Sequence, residues 1–295
     1  MEYISAKQIV LKNKYKGWFG TDYTMNIYRG CCHGCIYCDS RSECYGIKNF
    51  NTVYVKENAL DIIENELKHK RFKGIIGMGS MSDPYNSWEK SLGLTRGALE
   101  LINIYNYGVT IITKGDLIKR DADVLKAISD KMPVLVKITV TTTDDELAKI
   151  IEPNVPLPSE RLEAVKMLSE MGIYTGVLLT LVLPFITDNE KNITSVIESS
   201  AKAGAKFVYT YNPMGVTMRD RQRDYLYRQL DENFTGLKEK YMYLYGNKYN
   251  CRIPDSDKLM YLFKKQCQSN KLLYEMSDIE KAYKQSSDNR QIRLF

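Results

Sequence analysis

The chain has 295 residues, 44% apolar and 26% charged, with a net charge of +6. That length allows one large domain or two small ones with an ample core, and the charge excess is too small for a dedicated polyanion binder. The opening residues carry no apolar leader, and the longest apolar run, 177–186, is interrupted by Pro184 and too short to cross a bilayer, so no membrane partner is expected and the reducing cytoplasm is the expected location.

In chain order, residues 1–20 read as an N-terminal segment ahead of a domain over 21–215. A β-rich run at 24–28 leads into a loop holding Cys31, Cys35 and Cys38, spaced Cys-x-x-x-Cys-x-x-Cys. Seven cysteines, five of them between 31 and 44, are an odd and crowded set that does not form a disulfide framework. Thiolates this close select zinc, Cu(I) or iron–sulfur clusters. A four-iron cube has four corners, so three protein thiolates leave one iron open to a substrate or cofactor. The alternative is a structural zinc knot with Cys44 or His33 as fourth ligand, although zinc ligands usually come as two separated pairs. Cys32, next to Cys31, reads as a small buried hydrophobe.

Strand and helix patterns then alternate. Helices are expected over 59–70, 89–105, 121–129, 160–170 and 189–203, and strands over 74–78, 109–113, 134–141, 174–182 and 207–211. Gly74, Gly108, Gly172 and Gly204 read as helix stops, and Ser159 and Asp188 as N-caps. Six strands in this rhythm predict a parallel sheet with helices outside, curled into an incomplete barrel open on one side. Such sheets carry their chemistry at the carboxyl ends of the strands. There lie the Cys loop, the segment Gly77-Met78-Gly79-Ser80 with Asp83-Pro84-Tyr85, the pair Thr113-Lys114, and Thr139 and Thr141 on one strand face. Beyond 219 the rhythm stops. Charged, Tyr-rich helices are expected over 220–245 and 258–270, within an extension over 216–285 that covers the open side, and 286–295 reads as an exposed tail. The 22 tyrosines beside basic residues suit either the surface of such helices or stacking with single-stranded nucleic acid.

The Cys31-x-x-x-Cys35-x-x-Cys38 spacing resembles that of the radical S-adenosylmethionine (SAM) enzymes. The run from Asn26 to Cys38, the Ser82-Asp83-Pro84-Tyr85 segment and Thr113-Lys114 look like the spore photoproduct lyase-like branch, related to DNA repair photolyases, over about residues 20–215. The resemblance implies an α/β fold, a partial (β/α)6 TIM-like barrel. It implies a [4Fe–4S] cluster on Cys31, Cys35 and Cys38 that binds SAM and splits it reductively to methionine and a 5′-deoxyadenosyl radical. It implies that Tyr37 packs near the adenine, that Lys114 meets the SAM carboxylate, and that the Gly77, Gly79 and Ser80 backbone meets the amino group. Thr139 and Thr141 are then hydrogen-bond donors to SAM, and Asp83 and Tyr85 substrate contacts. A reductant such as flavodoxin or ferredoxin is implied as a partner. No catalytic residue is assigned. Where those lyases carry a hydrogen-donating Cys, two residues before the Asp, this chain has Met81, which has no S–H to give; Cys44, Cys251 or Cys267 would have to replace it. Gln291-Ile-Arg-Leu294-Phe295 resembles the bacterial sliding-clamp-binding pentapeptide. The expected function is radical chemistry on nucleic acid, DNA above all. RNA, a peptide or a small molecule is the alternative substrate, and a non-enzymatic iron–sulfur or zinc clamp-associated protein is the alternative class.

Overall fold

The computed structural model describes residues 1–291, with side chains through residue 285. Six parallel strands lie side by side in chain order: Tyr23–Met25, Ile75–Met78, Gly108–Thr113, Val134–Thr139, Thr175–Leu178 and Val208–Tyr209. They are called the first to sixth barrel strands below. A seventh strand, Val10–Lys12, pairs antiparallel with the first, Val10 opposite Met25, so the N-terminal segment is woven into the sheet edge. The sheet runs from Val10–Lys12 to the sixth strand without closing, the incomplete barrel that the alternation predicts.

Side chains alternate across the strands as the pleat requires. Val109, Ile111, Val134, Val136 and Ile138 face outward into a core shared with Ala98, Leu99 and Ile102 of helix Leu94–Ile104 and with Ala164, Val165 and Leu168 of helix Pro158–Glu170. The opposite face carries Thr110, Ile112, Lys137 and Thr139 and lines the barrel interior. At one end of that interior Phe19, Ile75, Leu135 and Phe207 pack with Ile279 and Tyr283 of helix Met276–Gln291, and the Tyr283 hydroxyl donates to the Phe19 carbonyl at 2.7 Å. Ile75 and Leu135 lie near the starts of their strands. The C-terminal helix therefore plugs the end of the barrel opposite the strand carboxyl ends.

The single helix expected over 89–105 is two, Glu89–Leu92 and Leu94–Ile104, parted at Gly93 (φ 64°). Glu89 explains the break: its buried carboxylate accepts the Thr95 amide at 2.9 Å and so starts the second helix. Likewise 220–245 splits into Asp220–Asn233 and Leu237–Tyr245 around Gly236 (φ 74°). The extension is not purely helical, because Gly215–Thr217 and Asn250–Arg252 form an antiparallel pair. Helix Asp145–Ile151 was not foreseen. Asn189, not Asp188, caps helix Glu190–Lys202, and Ser159 lies inside helix Pro158–Glu170 rather than at its cap. Gly172 and Gly204 take the positive φ of helix ends, whereas Gly108 opens a strand. Helix Met276–Gln291 runs into the segment expected as tail, and Leu294 and Phe295 lie outside the described residues.

Candidate active site

The loop after the first strand is fixed from several directions. The Cys31 amide donates to the Phe50 carbonyl at 2.9 Å, the Ile36 amide to the Ile151 carbonyl at 3.0 Å, and the Ser82 hydroxyl to the Gly30 carbonyl. Asn154 donates through its amide to His33 O and through its side chain to Cys32 O. Gly30 has φ 75°, and a Cβ there would meet the Thr52 carbonyl at 2.2 Å, so only glycine fits the start of the loop. This scaffold sets Cys31, Cys35 and Cys38 around one cavity of about 150 Å³, with Gly79, Ser80, Lys114 and Thr139 on its other walls. The second, third and fourth strands thus deliver their carboxyl ends to the cysteine loop.

Burial raises the thiol pKa values of Cys31, Cys35 and Cys38, and the charges of the other sulfurs push Cys35 and Cys38 higher. Thiols shifted upward in this way favour the protonated form, and a metal centre that bound them would expel their protons. Among the described residues no group of three or more His, Cys, Asp or Glu is placed to hold a single metal ion. The trio borders one shared cavity and the donor set is wholly thiolate, which suits a cluster.

Lys114 borders the same cavity. Burial works against its charge, but Cys35, Glu152 and Cys38 around it raise its pKa above that of an ordinary lysine, so it stays protonated. Its Nζ stands 5.5 Å from the centre of the Tyr37 ring. Tyr37 is buried, and its hydroxyl donates to Glu152 Oε1. Glu152 Oε2 accepts from Arg161 at 2.6 Å, Oε1 also accepts from the Thr141 hydroxyl at 3.3 Å, and Arg161 donates to the Thr139 carbonyl at 2.8 Å. Burial would raise the Glu152 pKa, yet Arg161 and Lys114 hold it below the usual carboxylate value. A buried ionic network thus stands behind the cavity wall and fixes both Tyr37 and the end of the fourth strand. Glu152 and Arg161 were not foreseen. Glu152 directly follows the short helix Asp145–Ile151, and a charged residue at a helix end gives no sign of burial.

The other expected site residues divide. Gly79 and Ser80 border the cysteine cavity; Gly77 instead borders a smaller cavity of about 100 Å³ deeper in the barrel, with Thr110 and Lys137. Gly79 (φ 93°) must be glycine because a Cβ would come 2.0 Å from the Ile112 carbonyl, a demand of strand packing. Thr139 borders the cavity, whereas Thr141 is spent on Glu152. Asp83 reaches the cavity edge, but its oxygens accept the Thr113 hydroxyl at 2.6 Å, the Lys114 amide at 2.8 Å and the Tyr85 amide at 2.9 Å, with His33 Nδ1 3.5 Å away. It ties the second loop to the third. Tyr85 is buried in the outer core and borders a different cavity beside Asn86 and Arg120.

Along the open side lies a cavity of about 430 Å³ between the loop after the sixth strand and the antiparallel pair of the extension. Asp39, which follows Cys38, borders it together with Tyr211, Asn212, Tyr249 and Cys251. Tyr211 stacks on Trp18, ring centres 5.7 Å apart and planes 12° from parallel, and the Arg219 guanidinium lies 5.0 Å from the centre of the Tyr249 ring.

Residues 25–196 match the model of the radical SAM superfamily. The chain belongs to that superfamily. Its cofactors are accordingly a [4Fe–4S] cluster and SAM, and the residues around the cysteine cavity fit them. An uncharacterized protein of Methanocaldococcus jannaschii is 38% identical over 191 residues, covering 63% of this chain and 69% of that protein. An uncharacterized protein of Mycobacterium tuberculosis is 28% identical over 231 residues, 76% of this chain and 67% of that protein. Among solved structures, a mutant of spore photoproduct lyase superposes with a TM-score of 0.69 at 13% identity, covering 93% of this chain and 81% of that one. Spore photoproduct lyase complexed with dinucleoside spore photoproduct gives 0.66, also at 13% identity. The radical SAM protein has a spore photoproduct lyase-like fold, a partial barrel with a C-terminal extension.

Proposed function

We propose that this radical SAM enzyme acts on a base of nucleic acid, DNA in the first instance, held in the open-side cavity. The observation that carries this is the position of that cavity: it begins at Asp39, one residue from Cys38, and offers the Tyr211 and Tyr249 rings with the Asn212 amide. Aromatic faces stack on any base, and amide groups pair with base edges. When bound, the cluster and SAM supply a 5′-deoxyadenosyl radical that takes a hydrogen atom from the substrate. Within that chemistry Cys31, Cys35 and Cys38 would hold the cluster, and Lys114 would neutralise the SAM carboxylate. Ser80, Thr139 and the Gly79 backbone would contribute polar groups from the cavity wall, and Tyr37, buried behind that wall and steadied by Glu152, would back the adenine side.

Met81 argues against the usual lyase cycle. Of the three cysteines that could replace the missing donor, Cys44 is exposed and Cys267 sits in the outer core; Cys251 is also buried, beside Tyr241 and Tyr245 with its thiol donating to the Lys248 carbonyl at 3.4 Å, but it borders the proposed substrate cavity. Burial pushes the Cys251 thiol up to about 11, so it keeps its S–H at neutral pH. Cys251 is the hydrogen source in this reading. The seven cysteines, all free, are in keeping with a reducing cytoplasm. The clamp-like pentapeptide ending in Leu294 and Phe295 would bring the enzyme to replicating DNA. A pull-down on purified clamp should succeed with the full chain and fail once 291–295 are removed.

The substrate test measures 5′-deoxyadenosine from the reduced, reconstituted enzyme with irradiated DNA, undamaged DNA and RNA. A nucleic acid should raise turnover in the wild type, and Tyr211→Ala with Tyr249→Ala should abolish that rise while leaving the slow uncoupled cleavage. Equal turnover with and without every nucleic acid offered contradicts the assignment.

A further inference from the structure

We propose that the basic hollow on the outer side of the cysteine loop is the docking surface for an acidic one-electron carrier protein that reduces the cluster. A surface cavity of about 230 Å³ is bordered by Arg41, Lys48, Arg221 and Arg228, with Phe50 and Tyr225, and no carboxylate is among its lining residues. Four cations around one hollow make a local positive field far denser than the chain's net charge of +6 over 295 residues.

Its place in the fold selects the partner. Phe50 borders both this hollow and the cysteine cavity, and it packs with Cys31 and Ile47. One side chain therefore separates the basic surface from the cluster ligands. The Arg41 guanidinium lies 5.0 Å from the Phe50 ring centre and 3.8 Å from that of Tyr225, and it donates to Asn51 at 2.8 Å. Arg221 donates to the carbonyls of Arg41, Ile47 and Lys48, which stiffens the loop. Lys48 and Arg228 are exposed, neither is in an ion pair among the described residues, and the Arg228 guanidinium lies 5.8 Å from the Tyr225 ring centre. Nucleic acid is the competing polyanion. The open-side cavity is bordered by none of these four cations, and a phosphate track needs a groove leading to it, whereas an electron needs only a short path through Phe50.

The inference rests on the cluster assignment and is independent of the substrate. Its test compares the wild type with Lys48→Glu/Arg228→Glu, leaving the loop-stiffening Arg41 and Arg221 intact. Two readouts are taken at low ionic strength: the Kd for oxidised flavodoxin, used as the acidic carrier, and the rate of 5′-deoxyadenosine formation driven either by reduced flavodoxin or by reduced methyl viologen, a small cation. The double variant should bind flavodoxin on the order of tenfold more weakly and lose a similar factor in the flavodoxin-driven rate, with the viologen-driven rate unchanged. Added salt should erase the difference between the two proteins. Unchanged flavodoxin affinity and rate overturn the proposal. Loss of single-stranded DNA binding with an unchanged flavodoxin-driven rate also overturns it and makes the hollow a phosphate-binding surface. A failure of the nucleic-acid reading would appear only in the substrate comparison and leave these readouts intact.

Discussion

Removing the Glu152 carboxylate leaves the Arg161 guanidinium buried without its partner, and the Tyr37 hydroxyl loses its acceptor at the same time. Breaking one side of a buried pair costs about 3–5 kcal/mol. Denaturant unfolding of Glu152→Ala should show a loss of this size, and the SAM affinity should fall as Tyr37 and Lys114 lose their alignment. Lys137 gives a second prediction. It is buried in the barrel interior, 4.4 Å from the Phe19 ring centre, and burial lowers its pKa to about 7, with Glu280 opposing. The unfolded chain keeps that proton to an ordinary lysine pKa near 10.4. Between about 7 and 10 the unfolded state thus binds more protons, so this group makes stability rise with pH; below about 7 the folded protein bears the full cost of the buried charge. Lys137→Met should remove that slope and stabilise the protein at pH 7 and below by on the order of 3–5 kcal/mol. Chemical denaturation from pH 6 to 10 measures it, and a wild-type stability that falls over this range while the variant's stays flat contradicts the sign.

Among elements, the six barrel strands were legible because buried parallel strands read as short β-branched runs at a regular spacing. What escaped was set by side chains reaching across elements. The breaks at Gly93 and Gly236 were written in the sequence as glycines inside helical periods, and a strict periodicity count passed over them. Helix Asp145–Ile151 is seven residues long, too short for a period, yet Asp144 announces it by accepting the Glu146 and Leu147 amides. The role of helix Met276–Gln291 was not legible, because its plug contacts join residues hundreds of positions apart; Tyr283 reaches Phe19. Ile279→Ala should cost about 2–5 kcal/mol through the cavity left in that plug. Tyr283→Phe, which loses the bond to the Phe19 carbonyl, should cost about 1 kcal/mol. Thermal unfolding of both variants checks this, and unchanged midpoints would show that the helix does not close the barrel.

At the scale of the whole molecule, the barrel is shut at one end by its own C-terminal helix and carries its cysteine loop at the other, with an aromatic cavity along the unclosed side and a basic hollow outside the loop. The cysteine spacing made the candidate cluster ligands readable, since three close thiols in one loop need no tertiary information, and the fold brings all three to one cavity. The residues that steady the cofactor pocket were not readable, because Glu152, Arg161 and Tyr37 meet only after the fourth strand and the following helices are packed. The chemistry proposed depends on the open corner of a cluster that three thiolates would hold. The direct measurement is anaerobic reconstitution of the wild type and Cys35→Ala with iron and sulfide, followed by reduction in the presence of SAM, reading bound metal and 5′-deoxyadenosine. The wild type should hold about four irons per chain and release 5′-deoxyadenosine, and Cys35→Ala should lose both together. A wild type that retains one tightly bound zinc and yields no 5′-deoxyadenosine, or a Cys35→Ala variant with full iron and full cleavage, would contradict it.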